Sequence, residues 1–306
     1  MVDVKEIKSV KIVPFTFMTS WITAISGLIV ALIILLFSGI IAAIFPANLG
    51  GLVAGLGIAS IIVLPIGGFL TNIVWAFVTA WIYNLLVPKV GGIKLGMEGN
   101  EITNVPVIPL ALITSLIMTI WAFIIGLILT AIAAPFLGIL SVIPQLLTTF
   151  PGLANNTTAI EGMGAAVGAS GILIAVILII AVPIVVFIGS FIGYALSAVF
   201  YNILIPKVGG IKLELAAAAH KFTEITNIPV VPFALAVAVV ATVWGIIQGL
   251  LNMAMWISQG DPVGGVVSLI ANIVISFISA FIAYAITALI YNFLSPKIGG
   301  IELELE

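Results

Sequence analysis

Six long apolar runs dominate the chain and leave it few ways to fold. They lie near Phe15–Ile44, Gly55–Leu86, Leu110–Leu137, Ile172–Ile205, Phe233–Trp256 and Val266–Leu294. A helix needs about 20 apolar residues to cross the hydrocarbon core of a bilayer, and every run is longer than that. Only 7% of the 306 residues are charged, whereas soluble domains carry about 25%. The sequence therefore predicts an all-α polytopic membrane protein with six transmembrane helices.

The segments between these runs repeat. A closing block follows every second run: YNLLVPKVGGIKLGME (Tyr83 to Glu98), YNILIPKVGGIKLELA (Tyr201 to Ala216) and YNFLSPKIGGIELELE (Tyr291 to Glu306). An opening block precedes the other runs: EIKSVKIVPF from Glu6, EITNVPVIPL from Glu101 and EITNIPVVPF from Glu224. Internal repeats of this kind indicate repeated structural units. We expect three helical hairpins, residues 1–98, 99–216 and 217–306, in a pseudo-threefold arrangement.

The closing block predicts the end of a helix followed by a strand. Pro-Lys should end the helix, because proline disfavours helical geometry in the residue before it. Gly-Gly permits a tight turn, and the alternation from Ile211 to Leu215 is typical of a half-buried strand. Pro106 and Pro229 make the opening blocks edge or bulged strands. Because unpaired backbone is costly, opening and closing strands of one unit, or of neighbouring units, should pair into a small β-layer.

The lysines predict the topology. All nine basic residues are lysines, and all lie in the segments at the repeat boundaries. Under the positive-inside rule these segments, and both termini, are cytoplasmic. We expect a multi-pass protein of the cell membrane with its short strands on the cytoplasmic side.

A Tyr-Asn pair near the end of each second run supplies the candidate site residues, which are Tyr83, Asn84, Tyr201, Asn202, Tyr291 and Asn292. Small residues four positions before each Asn favour close helix packing, across which a buried Asn can form hydrogen bonds. The alternative is that the three Asn side chains face one axis as the polar ring of a pore.

Other functional chemistry is sparse in the sequence. There is no Cys, which excludes disulfides and thiolate sites. The predicted spans hold no charged residue or His, and the single histidine, His220, lies in a linker. We predict no catalytic, metal or cofactor site, and a net charge of −2 does not indicate nucleic acid as a partner. Asn155 and Asn156 begin overlapping glycosylation sequons in the longest outer loop.

The repeated ends carry a family resemblance. The ending Ile-Tyr-Asn…Gly-Gly-Ile-Glu-Leu-Glu-Leu, with an apolar-Pro opening, resembles a two-helix transmembrane domain of unknown function known from actinobacteria. The likeness covers the two ends of each unit, while the helices match in hydrophobicity. It implies a two-helix fold for each unit and brings no catalytic or binding residue. This chain departs from the pattern in having three units and Pro-Lys before the Gly-Gly.

These observations favour a non-catalytic integral membrane protein, a structural or accessory subunit that packs against other membrane protein subunits or self-associates in the bilayer. A pseudo-trimeric channel or facilitator for ions or small solutes is the alternative. An intramembrane lipid-handling enzyme is a third hypothesis, although the usual acid–base and nucleophile sets are missing from the spans.

Overall fold

Six long helices account for most of the structure, a computed structural model that describes residues 3–147 and 171–306. The helices are α1 (Ile12–Ala42), α2 (Ala47–Val90), α3 (Val107–Leu147), α4 (Val182–Val208), α5 (Val230–Ser258) and α6 (Pro262–Ile298). Residues 171–176 are also helical and lead through a π-helical turn, Ile177–Ala181, into α4. Within the described residues, six helices are long and apolar enough to cross a membrane, which confirms the predicted number of spans.

The short strands join into one antiparallel sheet. They are β1 (Asp3–Val10), β2 (Lys94–Glu98), β3 (Glu101–Asn104), β4 (Ile211–Lys212), β5 (Glu214–Ala217), β6 (Phe222–Asn227) and β7 (Ile301–Leu305). Their order in the sheet is β4-β3-β2-β1-β7-β6-β5. Only Leu213 separates β4 from β5, so the first and last strands of this order are parts of one extended segment. The hydrogen-bonded order therefore returns to the segment where it began.

Each opening strand pairs on both sides. Strand β1 pairs with β2 of its own unit and with β7; β3 pairs with β2 and β4; β6 pairs with β5 and β7. The register shifts once in each of the pairs β1–β7, β2–β3 and β5–β6, as expected for bulged strands. Neither β3 nor β6 is an edge strand, however. Pro106 and Pro229 fall beyond the strand ends, so they remove no hydrogen bond from the ladder.

The second helix of each unit ends at a glycine and not at the proline before it. Pro88, Pro206 and Pro296 lie inside α2, α4 and α6, which continue for two more residues. The prediction that Pro-Lys ends these helices was wrong because proline removes only its own N–H, which would have bonded four residues back. The first glycine of each Gly-Gly pair, at φ +84°, +92° or +82°, then turns the chain out of the helix.

The chain forms two compact units. The first, Met1–Ile113 and Leu196–Glu306, holds all the strands described above and the hairpins α1–α2 and α5–α6. In it α1 packs against α2 and α6, and α5 packs against α6. The second, Thr114–Ala195, holds most of α3 and the helical residues from 171 to 195.

Buried clusters in the first compact unit join strands to helix ends. One contains Met18, Ile225, Ile290, Tyr291 and Leu294. The other contains Met97, Ile102, Tyr201, Ile205 and Ala236. In both clusters, strand residues pack against the last turns of the second helix of one sequence repeat. They also contact the first turns of the first helix of another repeat.

Candidate functional site

The repeated polar residues form three similar assemblies, each of which fastens an opening segment to the end of a helix. We call each assembly a clasp. The first consists of Glu6, Tyr83, Asn84 and Gly92; the second of Glu101, Tyr201, Asn202 and Gly210; the third of Glu224, Tyr291, Asn292 and Gly300.

The tyrosine hydroxyl of each clasp is inserted between two paired segments. In the first clasp the N–H of Ile7 donates directly to the carbonyl oxygen of Ile93 at 2.9 Å. In the opposite direction, from Ile93 to Ile7, the connection is made by Tyr83. Its hydroxyl donates to the carbonyl of Ile7 at 2.6 Å and accepts from the N–H of Ile93 at 3.1 Å. The hydroxyl thus stands between two backbone groups that a direct strand hydrogen bond would otherwise join.

The other two tyrosines repeat this geometry. Tyr201 donates to Ile102 at 2.6 Å and accepts from Ile211 at 3.2 Å. Tyr291 donates to Ile225 at 2.5 Å and accepts from Ile301 at 2.9 Å. All three tyrosines are buried, and Tyr291 is only 1% exposed. Each hydroxyl satisfies one backbone carbonyl and one backbone N–H that are buried or partly buried and would cost free energy if left without a partner.

The asparagine amide of each clasp pairs with the backbone of a single residue. Asn84 accepts from the N–H of Val10 through Oδ1 at 2.8 Å and donates to the carbonyl of Val10 through Nδ2 at 2.8 Å. Asn202 does the same with Val105 at 2.7 and 2.8 Å, and Asn292 with Ile228 at 2.7 and 2.8 Å. These partners lie where the opening strand ends and the helix has not begun. The amide supplies the hydrogen bonds that neither element can offer there.

A glutamate at the head of each opening block completes the clasp. Oε1 of Glu6 accepts from the N–H of Gly92 at 2.7 Å, Glu101 from Gly210 at 2.5 Å and Glu224 from Gly300 at 2.5 Å. Each carboxylate thereby holds the backbone immediately after the helix. Charge-assisted hydrogen bonds of this kind are stronger than neutral ones.

The environment of Glu6 favours its ionised form. The N–H of Gly92 is the largest influence and lowers the pKa of Glu6, while partial burial opposes it. Lys8, whose Nζ lies 3.2 Å from the Glu6 carboxylate, and Lys94 lower the pKa further. A carboxylate that accepts from a backbone N–H titrates at lower pH because the hydrogen bond stabilises the charged form.

The second glycine of each pair is required for a close approach. A Cβ atom on Gly92 would overlap the carbonyl oxygen of Ile7, which the hydroxyl of Tyr83 also contacts. Gly210 and Gly300 stand in the same relation to Ile102 and Ile225. A side chain at this position would therefore push the closing strand away from the strand that it pairs with.

The glutamates of the last strand are also engaged. Lys11 Nζ lies 2.6 Å from the Glu302 carboxylate, and the hydroxyl of Ser9 donates to Glu304 at 2.8 Å. Ser9 lies in β1 and Lys11 directly after it, whereas both glutamates lie in β7. They tie the beginning of the described chain to its end.

The structure gives the predicted Tyr and Asn residues a more specific position than the sequence did. The sequence placed them either in helix–helix packing or around a pore, whereas all six bind backbone of an opening segment or of the turn after the helix. Sequence reasoning assigned no role to Glu6, Glu101 and Glu224. Their constant place at the head of each opening block was the signal that could have revealed one.

The sequence also singled out two asparagines and one histidine outside the repeated blocks. Asn155 and Asn156 fall outside the described residues, so the glycosylation prediction stays a prediction. His220 is exposed, with a φ of 63°, in the turn between β5 and β6. Among residues 3–147 and 171–306, no group of three or more His, Cys, Asp or Glu side chains is arranged to hold a metal ion.

Comparisons of the chain with family models, curated proteins and solved structures give no match. The resemblance to the two-helix actinobacterial domain therefore stays an expectation.

Proposed function

We propose that this chain is a non-catalytic integral membrane protein that serves as a structural or accessory subunit of a membrane protein complex. One observation carries the proposal. The Glu, Tyr and Asn side chains that the sequence repeats three times are bound to the chain's own backbone. Their hydroxyls, amides and carboxylates are therefore used to hold the strands on the helices, which is a structural role.

The proposed architecture is three hairpins related by a pseudo-threefold axis. Its support is the recurrence of the same clasp at three sites, together with a strand order that passes from each unit to the next and back to the first. The strands and both termini would face the cytoplasm, since the segments that form them carry all nine lysines.

The geometry of the asparagines supports a scaffold over a channel. A polar constriction would need the amides of Asn84, Asn202 and Asn292 to turn toward a permeating ion or solute. Each amide instead has its acceptor and one donor engaged by backbone at 2.7 to 2.8 Å. Turning an amide away would leave two backbone groups unsatisfied at about 1 to 3 kcal/mol each.

The test is native mass spectrometry of the tagged chain, expressed from its own locus and extracted gently from its own membrane. We expect a fixed-stoichiometry complex with another integral membrane polypeptide, which should become less abundant when the gene for this chain is deleted. An unrelated six-span protein, tagged and extracted in the same way, is the control and should not carry that polypeptide.

Repeated recovery of the bare monomer or homo-oligomer would contradict the accessory-subunit proposal. Ion or solute flux into liposomes that contain the purified chain would then favour the channel. A flux that persists after Asn202→Leu, in a variant that remains folded, would show that the amides do not control the path.

A further inference from the structure

A small apolar pocket lies where the second clasp meets α5. Its volume is about 270 Å³. Its walls come from β2, β3, β4, α4, α5 and the start of α3, and include Ile102, Tyr201, Ala236, Val237 and Val240. The polar groups at its edge are already bonded, since the hydroxyl of Tyr201 both donates and accepts and Ser197 accepts from Trp244 Nε1 at 3.1 Å.

The repeats explain why the pocket is there. Counted from the last proline of each opening block, the fourth residue is Met18 in the first unit, Ile113 in the second and Ala236 in the third. All three are 0% exposed. At this buried position only the third unit has a side chain that stops at Cβ, so α5 occupies less space there than the corresponding helices α1 and α3.

The counterpart in the first unit shows what such a space accepts. Met18 packs into the cluster with Ile225, Tyr291 and Leu294, just as Ala236 lies in the cluster with Tyr201 and Ile205. The chain thus fills one site with an unbranched, flexible side chain and leaves the matching site open. An apolar cavity of about 150 Å³ in another protein is known to stay dry and to bind benzene, and this pocket is larger.

We infer that the pocket holds part of an acyl chain from a membrane lipid. The walls offer dispersion contacts and no unsatisfied hydrogen-bonding group, so they suit hydrocarbon and would reject water or a polar solute. An acyl chain is unbranched and flexible like the methionine that occupies the matching site. The pocket is open at its rim, where four apolar side chains are partly exposed: Leu95, Val105, Val237 and Val240. A chain with six membrane-spanning helices is surrounded by lipid acyl chains that could enter there.

Photo-crosslinking tests the assignment in the full-length chain, reconstituted with a phospholipid that carries a diazirine in the middle of one acyl chain. Label should appear on the peptide of α5 that contains Val237 and Val240. Ala236→Met, which copies the first unit, should lose that label and melt no lower than wild type. Val231→Met, on an exposed position of the same helix, is the matched control and should keep the label.

Equal labelling of Ala236→Met and wild type would overturn the inference, as would absence of label from this peptide in the wild type. If Ala236→Met does not fold, Ala236→Val takes its place, and undiminished labelling of that variant has the same meaning. Labelling by palmitate that carries a diazirine, with no labelling by the phospholipid, would contradict a membrane lipid as the source. None of these outcomes depends on whether the chain has a partner subunit.

Discussion

Removing one hydroxyl from the third clasp tests whether the tyrosines hold the strands in place. In Tyr291→Phe the ring stays in its buried cluster, so the apolar packing is preserved. The carbonyl of Ile225 and the N–H of Ile301 lose their shared partner. The two lost hydrogen bonds are worth about 1 kcal/mol each, and leaving buried backbone groups unsatisfied costs more. We expect the free energy of unfolding to fall by about 2 to 4 kcal/mol.

The measurement is reversible unfolding in mixed micelles, followed by circular dichroism as the fraction of denaturing detergent rises. Hydrogen exchange adds a local readout, because the amide of Ile301 should exchange faster in Tyr291→Phe. Tyr284→Phe is the control on the same helix. Tyr284 is 41% exposed and its ring lies against Phe233, so loss of its hydroxyl should change the free energy by less than about 0.5 kcal/mol.

A Tyr291→Phe variant as stable as the Tyr284→Phe control would refute the reasoning. It would mean that β6 and β7 close together and form the direct hydrogen bond without the hydroxyl. Gly300 lies against the carbonyl of Ile225, and this contact is the structural reason to expect that such closure is resisted.

Three further changes test other parts of the molecule. Gly300→Ala should destabilise by about 1 to 3 kcal/mol, since its Cβ would overlap the carbonyl of Ile225, whereas Gly189→Ala in an open part of α4 should change unfolding by less than about 1 kcal/mol. Met18→Ala should lower the free energy of unfolding by about 2 to 5 kcal/mol, and an unchanged midpoint would contradict tight packing at this fully buried side chain. Because the pKa of Glu6 is lowered from 4.5 by the backbone N–H that it accepts, its ionised form stabilises the fold above pH 4.5, and this contribution is lost as the pH falls through the lowered pKa. The unfolding free energies of wild type and Glu6→Gln should therefore differ near neutral pH and converge in acid. If the two free energies instead change with pH in parallel, the ionisation of Glu6 does not contribute to stability.

Several features of the fold could be predicted from the sequence because they depend on local pattern. The six spans follow from the length of the apolar runs, since hydrocarbon requires internally satisfied backbone and a helix provides it. The strands follow from the alternation in segments such as Ile211 to Leu215. Their pairing follows from the cost of unpaired backbone at the end of a helix.

The clasps could not be predicted, because their partners lie far apart in the chain. Tyr83 and Ile7 are separated by 76 residues, and Asn202 and Val105 by 97. A helix pattern shows that an Asn lies on a face of small residues. It does not show whether the amide meets a neighbouring helix, a solute or a strand end. The tertiary structure placed it against the backbone of the opening segment.

The sequence by itself thus determined the six apolar helices, because hydrophobic length is a property of the chain alone, and it shows the opening and closing sequence blocks three times. The helix ends depended on more than local rules, since each helix continues past its proline until a glycine can adopt a positive φ. Only the tertiary structure decided that Glu, Tyr, Asn and the second glycine act together. It also decided that a pocket lies beside Ala236, whereas the side chain of Met18 packs into a buried cluster at the matching position of the first repeat. Both depend on which backbone and side-chain atoms, far apart in the chain, come within contact distance.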